Sequence, residues 1–245
     1  MALDGITLRS LIHEMKSKLV NGKIDKITQP EKDEIWLTIR NEKQNHKLLI
    51  SANSSTPRIH FVNDAKKENP LTAPMFLMLL RKHIGNGTIK SVEQRSTERI
   101  VEISIDAYDE LRVLKNKTLI IELMGKHSNI ILVHTEDRKI IDSIKRVSLN
   151  ISSVREVLPG LTYQYPPGHK KISPIHRLDE DEFRRLCSNF HSEIYKLFYM
   201  SYEGMSPTIS KEICYRANVE STEVASSLSE VKTEKLWGTF SRMMS

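Results

Sequence analysis

Residues 23–145 carry nine short runs of β-type residues, and no other feature of the chain restricts its fold so strongly. The first four are KIDKITQ (23–29), EIWLTIR (34–40), HKLLISA (46–52) and RIHFVN (58–63), joined by the turn-like segments PEKD, NEKQN and NSSTP. The other five are TIKSVEQ (88–94), RIVEISI (99–105), TLIIELM (118–124), NIILVHT (129–135) and KIIDSIK (139–145). Branched apolar residues bounded by Asn, Gly, Pro and Asp specify strands, and connections this short pair them as an antiparallel meander. Two helical patterns accompany the strands. Leu8, Leu11, Ile12, Met15 and Leu19 recur at helical spacing between Thr7, read as the N-cap, and an Asn21-Gly22 stop. TAPMFLMLLRKHIGNG (72–87) reads as a mostly buried helix with Pro74 in its first turn, Gly85 or Gly87 beyond its end, and a Met-rich stripe in the core. The predicted first domain is therefore α+β: a curled antiparallel sheet, or a two-sheet sandwich, flanked by two helices.

LPGLTYQYPPGHKKISP (158–174) places four prolines and two glycines in a polar stretch, the composition of a linker, and divides the chain into domains at 1–172 and 173–245. Beyond it the pattern is helical. DEDEFRRLCSN opens with acidic residues suited to a helix N-terminus, with Phe183, Leu186 and Cys187 forming a buried stripe. IYKLFYMSYEGMSPTISKEICYRAN (194–218) reads as two helices bent at Gly204-Met205-Ser206-Pro207, an arrangement that suits a helix-hairpin-helix.

A chain of 245 residues that is 39% hydrophobic is long enough to bury a core. It has no apolar run of membrane-spanning length and no charged-then-apolar leader, which points to a cytoplasmic protein. Cys187 and Cys214 are too few and too far apart for a disulfide scaffold or a thiolate zinc site, and read as two buried thiols. The net charge of +6 is unevenly spread: residues 1–174 hold 28 Lys and Arg against 20 Asp and Glu, whereas residues 175–245 hold 9 against 11. A polyanionic partner, if there is one, is thus expected to meet the first part of the chain.

Two constellations stand out chemically. In ELMGKHSNIILV (122–133) a strand pattern breaks off and resumes around Gly125-Lys126-His127-Ser128-Asn129. A turn needs only small and polar residues, so Lys126 and His127 call for a further reason. The segment is no phosphate-binding P-loop, because His127 stands where Ser or Thr is required and Ile120 where the first Gly is required. A metal site is not indicated either, since His134, seven residues on, has no Cys or carboxylate company. The five residues make a donor-rich tip able to hold a phosphate or a base edge, although spacing alone favours a solvated hairpin tip. In QRSTERIV, Arg95, Glu98 and Arg99 precede an apolar strand, so that a carboxylate can orient a guanidinium toward phosphate or purine; composition alone favours an ordinary surface ion pair. No catalytic triad, nucleophile elbow or metal-ligand cluster is present.

MALDGITLRSLIHEM, ITQPEKDEIWLTIR, ELMGKHSNIILV and LPGLTYQYPP together resemble the N-terminal part of the bacterial NFACT proteins, the RqcH-type ribosome quality-control factors, which also go by the names fibronectin- or fibrinogen-binding protein. The resemblance runs over nearly the whole chain. It implies an NFACT-N domain similar in fold to the N-terminal domain of formamidopyrimidine-type DNA glycosylases, followed by a helix-hairpin-helix domain. The family's coiled coil and NFACT-R domain have no counterpart in this length. It implies further that the protein binds a stalled large ribosomal subunit with its peptidyl-tRNA and recruits alanyl-tRNA. A small RNA-binding quality-control protein is expected as a further partner. The factor supports mRNA-independent alanine tailing while the ribosome makes the peptide bonds, so no enzyme activity, cofactor or membrane is expected of it. The family's functional Asp-Arg pair falls on Glu98-Arg99, where the acidic member is one methylene longer. The resemblance also raises Gly125 to Asn129, with Lys126 and His127 foremost, to candidate RNA contacts.

Two other functions compete. A surface adhesin for fibronectin or fibrinogen would need export and an anchor. A DNA glycosylase of the related fold would need an N-terminal proline beside a glutamate, where this chain reads Met1-Ala2-Leu3.

Overall fold

The computed structural model describes residues 3–63, 67–168, 170–175 and 178–244; the Met1-Ala2 start weighed above lies outside them. Contacts divide the chain into two compact units, one of Met1–Leu3, Ser10–Arg95 and Arg99–Pro167, the other of Asp4–Arg9, Ser96–Glu98 and Gly168–Ser245. The chain opens with helix α1 (Gly5–Leu19). Its N-cap is Asp4 and not Thr7: the Asp4 carboxylate accepts the Thr7 backbone N–H at 2.8 Å, which satisfies one of the free donors of the first turn.

The first unit is built on one nine-stranded antiparallel sheet, not on two packed sheets. Its strands are β1 (Lys23–Glu31), β2 (Glu34–Asn41), β3 (Gln44–Ser51), β4 (Arg58–Phe61), β5 (Thr88–Gln94), β6 (Ile100–Tyr108), β7 (Leu114–Glu122), β8 (Asn129–His134) and β9 (Ile140–Ser143). The spatial order is β4-β3-β2-β1-β5-β6-β7-β8-β9, so each strand lies beside its sequence neighbours except where β4 and β5 stand apart. The β1–β5 joint is narrow, with Lys23 opposite Thr88, whereas β6 and β7 pair continuously from Ile100↔Glu122 to Tyr108↔Leu114. Register shifts in β1 and β5 flank that joint, and such bulges bend and twist a strand where a wide sheet must curl.

Helix α2 (Met75–Ile84) turns Phe76, Leu77, Leu80 and Ile84 inward. The Met-rich stripe is not core: Met75 is 65% and Met78 53% exposed, because both fall on the face opposite the buried set. Strands β7 and β8 are buried on both sides. Leu119, Ile121, Ile130 and Leu132 lie on one face; Ile120, Ile131 and Val133 lie on the other, beneath Val157 and Tyr163 from the segment that follows β9. That covering segment brings the start of the linker-like stretch onto the sheet.

The second unit holds α3 (Glu180–Asn189), α4 (Ile194–Ser201), α5 (Pro207–Arg216) and α6 (Glu230–Met244) around an aromatic core. Phe183 stacks on Phe198, and Phe240 meets Tyr202 edge-on at 4.7 Å between centroids. Cys187 and Cys214 are buried free thiols, each pushed up to about 12 by burial. Asp179 and Ser206 cap α3 and α5. Three distant stretches meet here: Gly5 N donates to Gly204 O at 2.9 Å, and Glu203 accepts from the hydroxyls of Ser96 and Thr97. A Cβ on Gly5 would stand 1.7 Å from the Thr97 carbonyl oxygen, so only glycine fits. Among the described residues, no helix is long and apolar enough to cross a membrane, and no group of three or more His, Cys, Asp and Glu side chains is placed to hold a metal ion.

Candidate nucleic-acid interface

Strand β7 ends at Glu122, and the chain reaches β8 through a single 3-10 turn at Gly125–His127. Gly125 takes φ +56°, which glycine adopts without strain. His127 N donates to Met124 O and Ser128 N to Gly125 O, closing the turn. The five motif residues divide sharply in role. Ser128 and Asn129 are buried: the Ser128 hydroxyl accepts from Met124 N at 2.8 Å, while Asn129 donates to Lys145 O at 2.8 Å and accepts from Lys145 N at 3.1 Å. Their polar atoms are spent on holding the turn and fastening it to the segment after β9. Lys126 and His127 are exposed, and among the described residues no ion pair engages Lys126.

Arg95 and Arg99 flank the β5–β6 turn. Arg95 N donates to Ile100 O at 3.1 Å, and the Arg95 guanidinium lies 3.6 Å from the Tyr165 ring centroid. Tyr165 belongs to a polar group in which Arg138 grips Glu102 through two bonds of 2.9 and 2.8 Å and the Tyr165 hydroxyl donates to the same carboxylate. Arg99, half-buried, immediately precedes β6, and its carbonyl accepts Leu123 N at 2.9 Å. One hydrogen bond therefore sets the Arg99 backbone two residues from Gly125, and sequence positions some 26 apart arrive at the same end of the sheet. Glu98 is half-buried and is counted with the second unit.

Beside this end lies an open cleft of about 590 Å³. Lys126, His127, Lys145, Arg146 and Arg155 give it a basic rim, and the exposed Ile151 and Val154 an apolar side. Two of these cations are neutralised locally. Arg146 holds the buried Asp142 with two bonds of 2.9 Å, and Arg155 pairs with Glu122, which is wholly buried and also accepts the Tyr163 hydroxyl at 2.7 Å. Burial holds the Lys145 ammonium below the usual lysine range, and it donates to Ala52 O. Arg146 and Arg155 thus face carboxylates and Lys145 turns to a carbonyl, which leaves Lys126, with His127 beside it, as the exposed cation of the rim. An exposed cation and an imidazole on a fixed turn can contact phosphate oxygens or stack on a base.

Sequence reasoning missed Arg155, Tyr163, Tyr165, Lys145 and Arg146. A signal for the first two existed: Glu122 is an acid within an apolar strand run, and a buried carboxylate demands a cationic or hydroxyl partner somewhere in the chain.

The model of the family described as NFACT N-terminal and middle domains matches residues 4–245. The chain is 39% identical over 219 residues to the Rqc2 homolog RqcH of Bacillus subtilis, covering 89% of this chain and 38% of that protein. It is 36% identical over 220 residues to the Rqc2 homolog RqcH of Streptococcus suis, covering 90% of this chain and 39% of that one. The chain thus spans about two fifths of the length of these relatives. Among solved structures, the N-terminal part of the fibronectin/fibrinogen-binding protein of Streptococcus suis superposes with TM-score 0.82 at 32% identity, over 97% of this chain and 84% of that one. The N-terminal domain of the fibronectin-binding protein PavA of Streptococcus pneumoniae does so with TM-score 0.79 at 38% identity, over 86% and 81%.

Proposed function

Since the chain belongs to the NFACT family, we propose that it works as the N-terminal and middle part of a cytosolic ribosome quality-control factor whose β6–β7 end contacts RNA. Relatives named Rqc2 homolog RqcH support the first half of that reading. The second half rests on one observation above the rest: the Leu123–Arg99 hydrogen bond sets Arg99 beside the Gly125–His127 turn, whose Lys126 and His127 stand free at the surface. Phosphate contacts from Lys126 and Arg95 position the nucleic acid, and Arg99 and His127 reach bases. Gly125, Ser128 and Asn129 serve the contact indirectly, by holding the turn. Glu98 enters through the family's Asp-Arg pair.

The finer reading follows the resemblance. The full-length factor binds a stalled large subunit with its peptidyl-tRNA, recruits alanine-specific tRNA and a small RNA-binding partner protein, and supports alanine tailing in which the ribosome forms the peptide bonds. Within it, the β-rich unit is related to the glycosylase N-terminal domains and α4–α5 forms a helix-hairpin-helix. Full-length protein recovered from cells should carry large-subunit rRNA and alanine tRNA, and Arg99→Ala should abolish tail synthesis with little change in melting temperature. If Arg99→Ala unfolds the protein, or if it tails normally, the site assignment fails. The names of the streptococcal structures favour a second reading, an adhesin for fibronectin or fibrinogen. Saturable binding to immobilised fibronectin by full-length protein that carries no RNA would favour it.

A further inference from the structure

At the end of β7 remote from the Gly125–His127 turn, Lys117 is only 4% exposed, and among the described residues no hydrogen bond or ion pair engages its amine. Its strand neighbours are Ile105 of β6 and His134 of β8, so it extends the inward-facing row of Leu119 and Ile121. An apolar residue would continue that row without cost, whereas burial penalises the Lys117 ammonium and the charge of Asp109 offsets this only in part. Lys117 lines a cleft of about 250 Å³ with Lys82 and His83 of α2 and with Asp109, Glu110 and Leu111 of the β6–β7 loop.

Most of the other charges are accounted for. Lys82 and His83 occupy the last turn of α2, where cations suit the free carbonyls, and Lys82 pairs with Glu110 at 3.0 Å. Asp109 spends a carboxylate oxygen on the N–H groups of Leu111 and Val113 at 2.9 Å. The charges of Lys115, Asp137 and Lys139 also act on His134. His83 and His134 are both held below the usual histidine value, first by burial and then by the charge of Lys117. Burial likewise lowers Lys117 itself, with Asp109 partly offsetting it. With both imidazoles neutral, Lys82 and Lys117 balance Asp109 and Glu110; protonation of His83 gives the cleft one positive charge, and protonation of the adjoining His134 adds a second beside it.

We propose that this cleft is a binding site for a phosphate group, held by the Lys117 amine and the His83 imidazole, with His134, the strand partner of Lys117 on β8, adjoining it. The entering anion completes the offset that Asp109 gives Lys117 only in part and favours protonation of both rings, so binding tightens as pH falls. This inference does not depend on the RNA reading of the opposite end of β7.

The test titrates inorganic phosphate into the 245-residue chain and follows the histidine ring signals by NMR at about pH 6 and about pH 8. The signals of His83 and His134 should move saturably, more strongly at the lower pH, and both rings should titrate higher with phosphate than without. Lys117→Met, which keeps the stem in the apolar row, should weaken binding about tenfold or more, the worth of one charge-assisted hydrogen bond. His134→Gln, at an exposed position, should weaken it several-fold and keeps the test open if Lys117→Met does not fold. An RNA oligonucleotide that moves the same signals and is displaced by phosphate would identify the source as a nucleic-acid backbone; phosphate acting where RNA does not would identify a free phosphate compound. Ring signals indifferent to phosphate at both pH values, or a folded Lys117→Met or His134→Gln chain that binds phosphate like the wild type, would overturn the proposal.

Discussion

Replacing Arg155 by Met should cost the first unit about 3–5 kcal/mol of stability, because it strands a charge and not because it loosens packing. Glu122 is 0% exposed, and its carboxylate is shared between the Arg155 guanidinium and the Tyr163 hydroxyl. Met fills most of the space of the Arg155 stem, whose side chain is 13% exposed. What disappears is the counter-charge, together with the bond from Arg155 to Gln164 O at 2.7 Å. Tyr163 alone cannot neutralise the carboxylate. Against a total of about 5–15 kcal/mol for a domain, a loss of this size brings the unit near its unfolding threshold. Adding Glu122→Gln should recover much of it, because a neutral amide needs hydrogen bonds and no opposite charge; the double variant should be more stable than the two single effects predict when summed. Urea unfolding read by Trp36 fluorescence measures this for the first unit alone if Trp237, in the second unit, is first changed to Phe; Trp36 is buried and donates to Glu34. A loss below about 1 kcal/mol for Arg155→Met, or simple additivity with Glu122→Gln, would refute the electrostatic account.

Three further outcomes are expected. Lys126→Ala should leave melting unchanged, since the side chain is exposed, while RNA affinity falls evenly across sequences and the salt slope drops by about one phosphate's worth; equal affinity and slope in the two proteins would remove the turn from the RNA surface. Gly125→Val should lose about 1–2 kcal/mol in thermal unfolding through its φ of +56° and not through a clash, the nearest atom to an added Cβ being Ser54 O at 3.7 Å, so Gly125→Asn should be milder than Gly125→Val. Burial works to raise Glu102, but the Arg138 fork and the Tyr165 hydroxyl outweigh it and hold the carboxyl below its ordinary 4.5. A depressed folded-state value means that its stabilising contribution is fully present above about pH 4.5 and is lost as pH falls through the lower folded value. Glu102→Gln should therefore flatten that acid limb in a stability profile, and an unchanged limb would show that the fork does not stabilise the fold.

Local chemistry determined a good deal of this protein. Each of the nine β-type runs overlaps one strand, from KIDKITQ in β1 to KIIDSIK in β9, because side-chain alternation and turn residues act over a few positions. The helix at residues 5–19 was legible for the same reason, and the exposed Lys126 and His127 stand where a break in an apolar run marks a turn. What the sequence left open was settled by contacts between distant residues. Asp4 and not Thr7 caps α1, since the cap depends on where the helix enters and Ser206, some 200 positions on, also bonds that carboxylate. Met75 and Met78 look like core until the phase of α2 against the sheet is known. Ser128 and Asn129 read as surface donors, yet they turn inward, because their partners Met124 and Lys145 come from the turn's own entrance and from the far side of β9. Glu122 waits on Arg155 and Tyr163, and Gly5 on Thr97 and Gly204, across gaps that no periodicity spans. Alternation and capping are decided by neighbours along the chain; register, helix phase and the pairing of buried charges are decided only when the sheet and its covering segments close, which is why the strands could be read in advance and the partners could not.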